Sequence, residues 1–109
     1  MLLLIPPYSE TQVIAPRELT ATTTWQTAWS SLRGGAIMVV DKDSTGSVWF
    51  VRYNGTCTEV SGNAGTRISR ASGAQDPPGW FFDPYQEGYS GQVCVKSESG
   101  SVILELNEW

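Results

Sequence analysis

The sequence predicts a mainly β fold. We expect a small antiparallel β-sandwich or barrel of about seven to nine short strands, with one short helix near residues 24–33. Three observations predict it. Short runs rich in Val, Ile, Thr and aromatic residues recur at roughly 8–12-residue spacing, with turn residues between them. Several of these runs alternate apolar and polar side chains, the period of a strand. A single stretch instead shows helical spacing.

Residues 1–22 read as an extended N-terminal arm or edge strand, and residues 23–109 as a single β-rich domain. Leu2, Leu3, Leu4 and Ile5 are apolar, and Pro6-Pro7 and Pro16 break the segment. Proline removes an amide donor and biases its predecessor toward extended geometry. Such a segment suits docking on a neighbouring subunit. The helix is expected because Thr23 and Gln26 have capping-box spacing. Trp25, Trp29 and Leu32 follow at i, i+4 and i+7, and Gly34-Gly35 supplies a stop.

From Ala36 onward the pattern is that of a β-meander. Ala36–Asp41 is apolar and β-branched, and residues 41–46 form a turn. In Ser47–Tyr53, Val48, Phe50 and Arg52 face one way and Trp49, Val51 and Tyr53 the other. Both sets are mostly apolar, so this is read as a central strand. Asn54-Gly55 is a strong hairpin signal, after which Thr56–Val60 is expected to return as a strand. Thr66–Arg70 follows, with Ile68 inward. Residues 71–91 are irregular except for a short strand at Trp80–Phe82. A closing hairpin pairs Gln92–Ser97 with Ser101–Leu106.

Composition narrows the function. The chain of 109 residues has no histidine, two cysteines and a formal net charge of −4. Without histidine, Ser-His-Asp and Cys-His catalysis are not available, nor is the commonest metal ligand. Two cysteines are too few for an all-thiolate zinc site. The seven Lys and Arg residues are scattered, so no basic stripe exists for nucleic acid. No apolar run approaches the eighteen or so residues of a membrane span. The opening apolar stretch lacks a basic n-region and is too short for a signal peptide, so no secretion signal is expected. Cys57 and Cys94 are then expected as reduced, buried thiols, or as a cross-strand disulfide if their strands are neighbours.

Three constellations are candidate sites. Asp41-Lys42-Asp43-Ser44-Thr45-Gly46 spaces oxygen ligands like the first half of an EF-hand loop, but Arg52 stands where the bidentate glutamate belongs. A solvated turn is the reading, and no metal or other cofactor is expected. Trp80, Phe81, Phe82, Tyr85 and Tyr89 crowd into ten residues, beside Asp83. Flat aromatic faces beside carboxylates suit protein interfaces and sugar rings alike. Carboxylates such as Asp83 with Glu87 have the residue types of a glycosidase pair, but so short a chain offers a poor cleft; no enzyme is expected.

Together these features point to a structural or assembly protein of a virion type, a bacteriophage capsid-decoration or tail component. It would bind other protein subunits as a homo-oligomer or lattice, through Leu2–Ile5 and the aromatic loop. Its expected location is the virion or the cytoplasm of the producing cell. The alternative is a carbohydrate- or receptor-binding module using the loop at 80–89. A further one is a small acidic inhibitor or regulator of a host enzyme.

Overall fold

A computed structural model describes residues 17–32, 35–70, 79–82 and 91–108. Among them are eight strands: β1 (Arg17–Ala21), β2 (Gln26–Leu32), β3 (Ala36–Val40), β4 (Gly46–Arg52), β5 (Thr66–Arg70), β6 (Gly79–Phe82), β7 (Gly91–Ser97) and β8 (Val102–Glu108). They form two four-stranded antiparallel sheets, ordered β1-β8-β3-β6 and β2-β7-β4-β5. The arrangement is sandwich-like. One continuous core joins Met38, Val40, Leu104 and Leu106 of the first sheet to Val48, Phe50, Val93 and Val95 of the second.

The alternation explains this core directly. In β8, Val102, Leu104 and Leu106 are fully buried while Glu105 is exposed. In β4, Val48 and Phe50 share one face, as their spacing predicts, and that face points into the core. β4 lies between β7 and β5, the interior position expected for a strand apolar on both faces.

The meander is corrected. Only β4 and β5 are both consecutive in sequence and paired; every other described connection crosses between sheets. The predicted closing hairpin therefore does not form, since β7 and β8 lie in different sheets. Turn residues mark where the chain reverses, not which strand it pairs with next. Val93 and Val95 on β7 and Val102, Leu104 and Leu106 on β8 must all be covered. Placing the two strands in opposite sheets lets each apolar row cover the other across the core.

The helix at residues 24–33 is also corrected, because residues 26–32 are strand β2. Its pairing with β7 slips between Thr27 and Trp29, an irregularity of the bulge kind that leaves Ala28 as an extra residue. The slip turns Trp29 into the main core, whereas Trp25 packs with Cys57 and Cys94. The two indoles that share a helical face in the sequence pattern thus belong to different clusters. Thr and Ser at 22–24, 27, 30 and 31 have weak helix propensity. The predicted Thr23–Gln26 capping box has no helix to start, and Gln26 instead bonds to Thr22 and Thr20 across a turn between strands. The Gln26 amide oxygen accepts from the Thr22 N–H and hydroxyl at 3.1 and 3.3 Å, and its nitrogen donates to Thr20 O at 3.3 Å.

A third correction concerns Thr56–Val60, which is not a strand: Cys57–Glu59 is a single 3₁₀ turn. Gly55 is not among the glycines with positive φ, so Asn54-Gly55 does not make the two-residue turn expected of it. Instead, residues 53–65 form one long connection. It is closed by Gly65, at φ +85°, where a Cβ would collide with the Phe50 carbonyl oxygen.

Candidate functional site

The predicted sites fall unequally within the described residues. Leu2, Leu3, Leu4 and Ile5 lie outside them, as do Asp83, Tyr85 and Tyr89 and the Asp83–Glu87 pair. Trp80, Phe81 and Phe82 are placed by their backbone on β6, opposite Met38, Ile37 and Ala36. Among the described residues β6 is an edge strand, and the other edge of that sheet is β1, the C-terminal end of the predicted arm. Edge strands carry one row of backbone groups that no sheet partner occupies.

The 41–46 turn is held by its own side chains. Asp41 Oδ1 accepts from the Asp43 N–H at 2.8 Å, and Lys42 Nζ donates to Asp43 Oδ2 at 3.0 Å. Ser44 Oγ accepts from the Ile103 N–H at 3.0 Å, which ties the turn to β8. These bonds consume oxygens that the calcium reading would need. No group of three or more metal-ligating side chains occurs among the described residues.

Beside this turn, on the outer face of the first sheet, sits a cluster of carboxyls. Glu18 stands directly opposite Glu105, and the Asp41 carboxyl lies close enough to Glu105 for the two to share a proton. The Asp43 N–H, followed by the bond to Glu105, holds Asp41 below the usual carboxylate range. The bond to Asp41, then burial and the charges of Asp41 and Glu18, pushes Glu105 up. Half-buried Ile37, Val39 and Ile103 complete this face.

The outer face of the second sheet has different chemistry, and sequence reasoning missed it. Cys57 and Cys94 form a disulfide with Cα atoms 5.6 Å apart, so the expectation of reduced thiols is corrected in favour of the bridge. Cys94 is on β7, between β2 and β4, and Cys57 is on the 3₁₀ turn of the long connection. The bridge therefore clamps residues 53–65 over the sheet. Three further ties reinforce it. Trp25 Nε1 donates to Gly62 O at 2.8 Å. Gln92 Nε2 donates to Tyr53 O and Gly55 O. Lys96 Nζ donates to Asn63 Oδ1 at 2.7 Å. Trp25, Cys57 and Cys94 are buried there, with Trp49, Val51, Tyr53, Val60 and Ala64 half-buried around them.

Next to the clamp, register sets three side chains in a row across the sheet: Lys96 on β7, Trp49 on β4 and Arg67 on β5. Glu98 binds two of its neighbours through one oxygen. Its Oε1 accepts from Trp49 Nε1 at 3.0 Å and from Arg67 Nε at 2.8 Å. Arg67 Nη2 also donates to Ser47 Oγ at 2.8 Å. The Arg67 guanidinium, then the Trp49 indole, holds the Glu98 carboxyl below its ordinary range. The signal was legible in retrospect: an outward tryptophan on a central strand needs a reason not to be polar.

A depression of about 280 Å³ lies near this row, lined by Phe50, Val51, Arg52, Gly65 and Thr66. Small-ligand pockets run from roughly 300 to 1,000 Å³, so recognition here would use a platform, not an enclosed cavity. Compared with protein-family profiles, with curated proteins and with solved structures, the chain matches none.

Proposed function

We propose that this chain is a structural protein of a virion type, such as a bacteriophage capsid-decoration or tail component, working by protein–protein contact. The strand order carries the reading. Two sheets ordered β1-β8-β3-β6 and β2-β7-β4-β5, with the chain crossing between them, have the connectivity of a jelly roll, an architecture recurrent in capsid and lectin domains. Fold alone does not assign function, so the chemistry must agree with it. The disulfide does: such bridges persist in oxidising settings, virion and cell surfaces among them, and are rare in a reducing cytoplasm. The paucity of charge and the absence of histidine also suit recognition better than catalysis.

In this reading, residues 1–7 and the aromatic segment at 80–89 dock on neighbouring subunits. The test is the mass in solution, by sedimentation equilibrium, of the full chain, a chain lacking residues 1–7, and Trp80→Ala. The expected result is a concentration-independent oligomer for the full chain and a smaller species for each variant. A full chain that stays monomeric, with both variants identical to it, overturns the reading.

A further inference from the structure

We propose that Trp49, with Lys96, Asn63, Arg67 and Glu98, forms a saccharide-binding platform on the outer face of the second sheet, and that its ligand is a sugar bearing a carboxylate. This goes beyond the assembly role, uses none of the residues that role depends on, and is tested separately from it.

Four observations carry the inference. First, Trp49 is half-buried on a central strand, so its indole is anchored yet reachable. An aromatic face stacks on the axial C–H groups of a sugar ring, as it does on other apolar surfaces. Second, the indole is held in place: its N–H is committed to Glu98, which is itself fixed by Arg67 and through it by Ser47. A site built on strands and locked by such outer bonds is preorganised for its ligand. Third, donors and acceptors surround the indole on both sides. The Arg67 and Glu98 side chains are 45% and 39% exposed, so their remaining hydrogen-bonding capacity faces solvent. Asn63 reaches the same place from the clamped connection, through Lys96.

Fourth, the local charge opposes that of the whole molecule. Lys96 and Arg67 flank Trp49 with Glu98 as the acid between them, a local excess of one positive charge in a chain of net −4. Among the described residues Lys96 bonds to a neutral amide and not to a carboxylate. Its ammonium is positioned to pair with an anionic group on a sugar stacked over Trp49.

The experiment is isothermal titration of the full, oxidised chain with 3′-sialyllactose and a galacturonic acid trisaccharide, with lactose as the neutral control. The acidic sugars should bind about tenfold more tightly than lactose, the ratio that one charge-assisted hydrogen bond supports. Trp49→Ala should remove all sugar binding. Lys96→Gln, which alters no apolar contact of the core, should bring the acidic sugars to the level of lactose. Near-UV circular dichroism confirms that each variant is folded. The proposal fails if neither acidic sugar binds, if lactose binds equally well, or if folded Trp49→Ala or Lys96→Gln retains the preference.

Discussion

The outward faces of the two sheets solve the same problem in different ways. Each belongs to a four-stranded layer whose inner side is committed to the shared core. On the first sheet, Glu18, Glu105 and Asp41 gather around half-buried Ile37, Val39 and Ile103, and like charges stand opposite one another. Cross-strand like pairs destabilise a sheet. On the second, opposite charges meet at Glu98 and Arg67, and a disulfide-anchored connection covers Trp25. The first face carries like-charge tension, whereas on the second the Glu98 carboxylate is held by its neighbours. That difference teaches where binding chemistry is affordable: a polar group already held by its neighbours loses little freedom when a ligand arrives.

The largest effect should come from the layer that both faces share. Leu104 is fully buried between the sheets, and Leu104→Ala should cost about 2–5 kcal/mol, through lost transfer energy and the cavity left behind. Urea denaturation measures this, and both sheets should unfold in one transition. Separate transitions would show that the two layers are independent.

Next in size, Cys57→Ala with Cys94→Ala separates the faces. It should cost roughly 2–4 kcal/mol, because the bridge closes a sequence separation of 37 residues. Hydrogen exchange should rise in residues 53–65 and remain low in β3 and β8. Equal deprotection of both sheets would break the comparison.

Gly65→Ala should cost about 1–3 kcal/mol, because a Cβ there meets the Phe50 backbone in a left-handed conformation. The damage should appear in amide shifts of β4 and β5 and spare those of β1 and β8.

The smallest effects sharpen the comparison most, because the faces should answer pH with opposite signs. Folding raises the pKa of Glu105, so its contribution is favourable at low pH and is lost as pH rises through the folded value. Glu105→Gln should therefore stabilise slightly at neutral pH, with the gain vanishing as pH falls below the ordinary 4.5. Folding lowers the pKa of Glu98, so its contribution is present above 4.5 and is lost as pH falls through the folded value. Glu98→Gln should destabilise slightly at neutral pH, with the loss closing in acid. Thermal midpoints between pH 3 and 7, read at about unit intervals, check both, and equal signs would refute the contrast.

Much of this was legible in the residues. The period-two alternation of Val48 and Phe50 against Trp49 and Val51, and of Val102, Leu104 and Leu106 against Ile103 and Glu105, assigned strand type and the side chains that share a face; burial then chose the inward set. β2 was misread because a slip between Thr27 and Trp29 breaks the alternation and leaves tryptophans at helical spacing. The candidate platform was missed because Lys96, Trp49 and Arg67 are far apart in the chain and become neighbours only through register.

The sequence by itself determined the β character, which side chains share a face in most strands, and the exclusion of histidine chemistry. Those follow from local periodicity and from counting, which need no knowledge of distant neighbours. Tertiary structure alone decided which strands pair, that the chain crosses between sheets instead of meandering, and that Cys57 meets Cys94. The physical reason is that two apolar faces must cover each other. Turn residues allow reversal at many places, and only the joint burial of both sheets selects among the pairings.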